Sequence, residues 1–178
     1  MANTRQNKVS TIPPGFTEVT PWIISSSTSD LIKFLVKVFG AEEINGSRIV
    51  NEQGVIIHAV IKIGTAHLLL FDSREGWGPT PSFLNLYVAD LEAVYERALK
   101  EGASSVTDIT SLWFGEKVCR IIDPFGNLWW LNQRVEEVDF TDPAIAARAS
   151  TPEAKQKITY IQRSLNEAIL QQQELLKK

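Results

Sequence analysis

Cysteine is all but missing from this chain of 178 residues, where Cys119 stands alone. One thiol excludes an intramolecular disulfide framework and any cysteine-cluster metal site, and it suits a reducing compartment. Histidine is nearly as scarce, with only His58 and His67 present, so a metal centre built on imidazole is short of ligands. No apolar run approaches the ~18 residues a membrane helix needs. The opening stretch MANTRQNKVSTIPPG lacks the apolar core of a secretory signal, and we expect a cytoplasmic protein with no membrane partner. Positive charge is in deficit too: 18 basic against 21 acidic side chains leave a formal net charge of −3. The basic residues are scattered rather than gathered on one face to neutralise phosphates, so no nucleic-acid partner is expected. The G-x-G-x-x-G spacing does not occur, Gly76-Trp77-Gly78-Pro79 ends in a residue without a donor, and there is no serine-centred nucleophile elbow. What the chain does have is five tryptophans and 44% hydrophobic residues, enough apolar side chain to bury a core.

Two periodicities alternate along the chain. Residues 1–15 are polar with two prolines and read as a flexible N-terminal arm. VTPWII, residues 19–24, reads as a strand, and Leu31, Phe34, Leu35 and Val38 then recur at helical spacing until Gly40. The serine-rich run before this helix offers caps, because a short side-chain oxygen satisfies free N–H groups of the first turn. Residues 55–71 form an apolar hairpin pattern broken by Gly64-Thr65, and WGPTP follows as a linker. The order then repeats. FLNLYV is a strand, Leu91, Val94, Tyr95, Ala98 and Leu99 make a helical stripe that stops at Gly102, and VCRII and LWWL flank the turn Asp123-Pro124-Phe125-Gly126. Gly40-Ala41-Glu42-Glu43-Ile44 matches Gly102-Ala103-Ser104-Ser105-Val106, so a strand-helix-strands unit is present twice, in modules of about 16–75 and 81–138 within a domain over 16–138.

Residues 139–178 form a C-terminal helical extension. Thr151 is a good N-cap and Pro152 suits the first helical position. A helix from Pro152 to Lys177 would be roughly 39 Å long, with Ile158, Ile161, Leu165, Ala168 and Leu175 as its apolar stripe and Gln172 interrupting it. Such a helix needs something to pack on, either this chain's own sheet or helices or the same region of a second copy.

The tandem βαβββ pattern, with FLVKVFGAEEI, HAVIKIGTAHLLLFD, VADLEAVYERALKEGA and DPFGNLWWL, resembles the vicinal-oxygen-chelate superfamily of glyoxalase I, extradiol dioxygenases and bleomycin-resistance proteins. The likeness spans about residues 16–135. It implies an α+β fold in which tandem modules form a curved mixed sheet with a cleft, and it implies a homodimer. Metal-dependent members carry ligands at four inward-facing strand positions. Carried over one at a time, these fall on Thr20 and Phe83 in the first strands, on Trp130 four residues past the glycine of DPFG, and on Leu70, or Leu68 if the first hairpin turn is shorter. Thr, Phe, Trp and Leu do not bind a divalent cation, so the resemblance carries no metal and no cofactor with it, and any catalytic residue is unknown. The histidines do not replace the lost ligands, because His67 sits opposite Lys62, roughly 13 Å along the strand from His58. His58 reads as a sheet histidine and His67 as facing away from the cleft. Glu116 offers a cleft carboxylate as an alternative base, and Cys119 in VCRII reads as a small buried hydrophobe.

Strand alternation predicts the cleft lining. Thr20, Trp22 and Ile24 share one face, Phe83, Asn85 and Tyr87 another, and Leu128, Trp130 and Asn132 a third, while Ile23, Leu84, Leu86, Trp129 and Leu131 pack under the helices. Trp113 and Phe114 in SLWFGEK form a rim whose rings can stack on a planar ligand or a cation for about 0.5–2 kcal/mol each. The expected ligand-binding residues are therefore Thr20, Trp22, Leu70, Phe83, Asn85, Tyr87, Trp113, Phe114 and Trp130. A cleft filled by its own aromatic side chains is the competing outcome. Three functions follow: a metal-free binder of a small aromatic or amphipathic molecule, a glyoxalase-type lyase or isomerase with a relocated metal, and a non-catalytic interaction protein acting through its C-terminal helix.

Overall fold

A computed structural model of the protein describes residues 9–175. Residues 1–8 of the expected arm and the last residues of the expected final helix lie outside that range. The first module runs β1 (Trp22–Ser25), α1 (Thr28–Phe39), β2 (Glu42–Glu43), β3 (Ile49–Val50), β4 (Ile56–Ile63) and β5 (Ala66–Asp72). The second runs β6 (Phe83–Tyr87), α2 (Leu91–Lys100), β7 (Ser104–Leu112), β8 (Glu116–Ile122) and β9 (Leu128–Arg134), followed by α3 (Pro143–Ser150) and α4 (Pro152–Leu175). The α+β class, the mixed sheets and the C-terminal helices are those that the resemblance implies.

Each module makes its own mixed sheet with the same order. The first is β1-β5-β4-β2 with β3 also on β4, and the second is β6-β9-β8-β7. In both, the first strand pairs parallel with the last, Trp22 beside Leu69 and Asn85 beside Trp130, and the remaining pairings are antiparallel. The helix ends follow local chemistry. Gly40 closes α1 in the left-handed conformation at φ 65°, where a side chain would be strained. Asp90 caps α2 by accepting from the Ala93 N–H at 3.0 Å. Asp72 does a similar service across the module, accepting from the N–H groups of Thr28 and Ile56 and so tying the start of α1 to β4 and β5.

The two modules share one core. Ile23, Ile61, Leu68 and Leu70 of the first sheet and Cys119, Ile121, Trp129 and Leu131 of the second pack with Leu35 and Val38 of α1 and Leu91, Val94 and Ala98 of α2 in a single cluster. The modules also meet directly: Phe39 of α1 lies 4.7 Å from Trp129 of β9 between ring centroids, and Arg97 of α2 donates to the Val38 carbonyl oxygen of α1. Both sheets thus turn one face to a common helical layer, and the residues that alternate with this core face outward.

The C-terminal helix has found its partner within the chain. α4 packs along β7 and over the outward face of the second sheet, where Ile158, Tyr160 and Ile161 meet Leu112, Phe114, Val118 and Trp130. α3, unread in the sequence, starts at Pro143 with Asp142 capping the Ala144 N–H. Its Arg148 holds Glu136 through two hydrogen bonds, which fixes the route from β9 into the extension.

Candidate functional site

The outward face of the second sheet carries most of the residues singled out from the sequence. On β6, an edge strand, Phe83 is 52% exposed and Tyr87 57%, with Asn85 exposed between them. The neighbouring strand β9 places Leu128, Trp130 and Asn132 beside these three in register. Leu84, Leu86, Trp129 and Leu131 point the other way into or against the core, so the alternation expected in this module is the alternation the strands adopt. Hydrogen bonds tie the face together: Asn132 Nδ2 donates to Asn85 Oδ1 at 2.7 Å, and the Tyr87 hydroxyl reaches the Glu116 carboxylate oxygen Oε1 at 3.5 Å. Glu116 is thus at the border of this face.

One residue that sequence reasoning passed over sits at its centre. Arg120 on β8 pairs with Trp130 on β9 and lays its guanidinium over the indole, 3.9 Å from the ring centroid. Only 2% of Arg120 is exposed. Its Nη1 donates to the Thr107 hydroxyl and to the carbonyl oxygen of Ile161 on α4, and Thr107 in turn shares a 2.7 Å hydrogen bond with Ser164. Burial lowers the Arg120 pKa. The Nε atom of Arg120 and the Nε1 atom of Trp130 are both buried without an acceptor. The signal available in the sequence was a lone charge in the apolar run VCRII, which alternation puts on the face opposite Cys119 and Ile121.

The first module presents a different outward face. Trp22 is exposed and packs edge-on against Phe71 at 5.2 Å and His58 at 5.8 Å, and Phe71 continues to Trp77 at 5.7 Å. The Nδ1 atom of His58 lies 2.9 Å from the Ser47 carbonyl oxygen, to which it donates. His67 is on this same outward face, stacked under Phe16 at 4.8 Å. Leu70 needs correction. It is 0% exposed and belongs to the core with Leu68, while Leu69 and Phe71 take the outward positions beside Trp22. The cause is the turn length: two residues separate the paired Ile63 and Ala66, against five between Ile122 and Leu128. The counterpart of Trp130 is therefore Leu69. Thr20 precedes β1, and its hydroxyl is turned toward the Thr17 carbonyl oxygen at 3.4 Å.

Trp113 and Phe114 form the β7–β8 turn and meet each other edge-on at 5.3 Å. They part company there: Phe114 packs into the small cluster with Trp130, whereas Trp113 reaches Phe140 and lines a cavity of about 220 Å³ with Arg148, Thr151 and Lys157. Three groups thus emerge: Phe83, Asn85, Tyr87, Phe114 and Trp130 around the second sheet, Trp22 with the aromatic cluster of the first, and Trp113 at the start of α4. Trp22 and Phe83 are linked through the strand edges, where the Ser82 hydroxyl donates to the Trp22 carbonyl oxygen.

The family positions do not fit a metal ion. Trp22 and Leu69 in one module and Asn85 and Trp130 in the other hold the paired first- and last-strand places, and Thr20 and Phe83 the places two residues before; among these only an amide and a hydroxyl oxygen can donate to a cation. Among the described residues no group of three or more His, Cys, Asp or Glu side chains could hold a metal ion, and no helix is long and apolar enough to cross a membrane.

Comparison with known proteins agrees with the fold. A family model described as "Glyoxalase/Bleomycin resistance protein/Dioxygenase superfamily" matches residues 18–131. An uncharacterized protein of Mycobacterium bovis is 30% identical over 135 residues, covering 70% of this chain and 88% of the relative. Its counterpart in Mycobacterium tuberculosis is 30% identical with 78% of the relative covered. Among solved structures, TioX from Micromonospora sp. ML1 superposes with a TM-score of 0.53 at 18% identity, covering 69% of this chain and 100% of that one. The fosfomycin resistance protein FosX from Listeria monocytogenes gives 0.53 at 13% identity, covering 65% and 91%. At these identities the structural likeness concerns the fold alone.

Proposed function

Because this chain belongs to the Glyoxalase/Bleomycin resistance protein/Dioxygenase superfamily, we propose that it binds a small planar or amphipathic molecule on the outward face of its second module, without a metal ion. The observation that carries this reading is the exposed row Phe83, Asn85 and Tyr87 beside Trp130. Aromatic walls with a few neutral hydrogen-bonding groups are the usual lining of a small-molecule site. Each stacked ring contributes about 0.5–1.5 kcal/mol beyond area burial, and Asn85 and Asn132 give the ligand orientation by hydrogen bonds.

A lyase or isomerase reading would need a relocated metal, and the donors available on these faces do not supply one. The interaction reading draws on α4, whose packing on the chain's own sheet leaves its exposed residues, such as Leu170, as the only surface it can offer a partner. The test of the binding reading is a tryptophan-fluorescence titration against a panel of planar aromatic compounds. Saturable quenching by at least one compound, weakened about tenfold in Phe83→Ala through loss of ~1–2 kcal/mol of stacking and burial, is the expected result. Absence of quenching by every compound would remove the reading.

A further inference from the structure

We propose that Arg120 and Trp130 form an anion-recognising site for an aromatic or amphipathic carboxylate, and that α4 covers this site as a displaceable stand-in for the ligand. The inference rests on the binding function proposed above and adds to it the charge of the ligand and the device that masks the site.

Arg120 carries a buried charge. A guanidinium taken almost wholly out of water is costly unless an anion faces it, and Arg120 has none. Its acceptors are neutral, a threonine hydroxyl and a helix carbonyl, and its Nε is left without any. The chain carries more acidic than basic side chains, yet among the described residues the hydrogen bonds of Arg120 go to a hydroxyl and a carbonyl oxygen and none to a carboxylate. Trp130 adds a second orphaned donor directly beside it, since its Nε1 is also buried and unpaired. Two N–H groups without acceptors next to a stacked cation and an aromatic plane match a planar carboxylate: the oxygens would accept from Arg120 and Trp130, and the ring would extend toward Phe83. Arginine forks suit carboxylate geometry in this way.

α4 already occupies those places in part. The Ile161 carbonyl oxygen takes one Arg120 donor and the Ile161 side chain lies in the apolar cluster with Trp130, so one residue of the helix presents an oxygen and a hydrocarbon body to the two groups a ligand would meet. Apart from the apolar contacts of Ile158 and the buried Ala154 and Ala168, its seat is held by polar contacts. Tyr160 bonds Asp108, Ser164 bonds Thr107, and Gln172 donates to the Gly126 carbonyl oxygen, while cavities of about 430 and 520 Å³ flank the helix. When the helix lifts, these hydrogen bonds exchange for bonds to water, so their loss is only partly felt, which suits a cover that has to come away.

The test uses the full chain and two matched probes, 1-naphthoate and the neutral 1-naphthalenemethanol, in calorimetric titrations. The proposal predicts that naphthoate binds about tenfold or more tighter than the alcohol, because a charge-assisted hydrogen bond is at stake. Arg120→Met should abolish that preference, and Arg120→Lys should retain part of it. A double variant, Thr107→Cys with Ser164→Cys, replaces two oxygens 2.7 Å apart and should cross-link α4 to the sheet. Cys119 will not interfere, since burial pushes its thiol up to about 12. Oxidised, this variant should lose naphthoate binding, and dithiothreitol should restore it. Equal binding of both probes, unchanged in Arg120→Met, overturns the anion site but leaves the binding function standing. Undiminished binding to the cross-linked form overturns the covering role of α4. No binding of either probe, even to the reduced double variant, takes the binding function down with the inference.

Discussion

At the scale of single residues, the turn after β8 shows how one side chain can organise a hairpin. Asp123 is almost fully buried and accepts from the Trp129 indole, the Asn127 side-chain amide and the backbone N–H groups of Phe125 and Asn127. Replacing it with alanine leaves several buried donors unsatisfied and should lower stability by about 1–3 kcal/mol, read as a shift of the urea midpoint. Burial raises the Asp123 pKa above its ordinary value, against the pull of those donors. A raised carboxyl binds its proton more tightly folded than unfolded, so its contribution to stability is full below the unfolded value of about 3.9 and declines as pH rises through the folded value. The stability of the wild type relative to Asp123→Asn should therefore fall as pH is taken upward from about 4, and a flat difference would contradict the assignment.

At the scale of elements, the turns decide where faces point. Gly115, in the β7–β8 turn, has φ +79°, and a Cβ there would meet the Glu136 carbonyl oxygen and Val138 at 2.7 Å. Gly64, in the β4–β5 turn, has φ +58° with open space around it. Gly64→Ala should cost about 1–2 kcal/mol, the backbone strain alone, while Gly115→Ala should cost clearly more; equal losses of urea stability would mean that the turn relaxes around the added methyl. Such details also mark what the sequence could disclose. α1, α2 and α4 were legible from their apolar stripes and α4 also from its Thr151 cap, whereas α3 was not and the serines before α1 make no side-chain cap; the second-module faces of Phe83, Asn85, Tyr87 and Trp130 were legible from alternation. Leu70 was misplaced by one residue because a two-residue turn replaces the five-residue turn of the other hairpin, and one step in a strand exchanges faces. The landing place of α4 was not legible, since a stripe of Ile158, Ile161 and Ala168 states that a helix must pack without naming the surface. Arg120 was hidden for a related reason: its meaning lies in the absence of a carboxylate nearby, which only three-dimensional neighbours reveal.

For the molecule as a whole, the two sheets share one helical core and present their outward faces separately, with Trp22 on one and Trp130 on the other. The scarcity of histidine acquires a location in this frame: the positions that the resemblance assigns to metal ligands hold Thr20, Phe83, Trp130 and Leu70, the last of them buried in the core, and these side chains offer stacking surface and one hydroxyl rather than strong donors. The proposed ligand site therefore lies on the second sheet, at the junction of β6 and β9. The five tryptophans report on different parts of the fold, so one spectrum distinguishes the candidate locations. In a ¹H–¹⁵N correlation spectrum titrated with 1-naphthoate, the indole N–H of Trp130, which has no acceptor in the folded chain, should show the largest shift, while that of Trp129, bound to Asp123 at 2.9 Å in the core, should stay in place. A dominant shift at Trp77 or Trp113, or no indole shift at saturating naphthoate, would contradict the account.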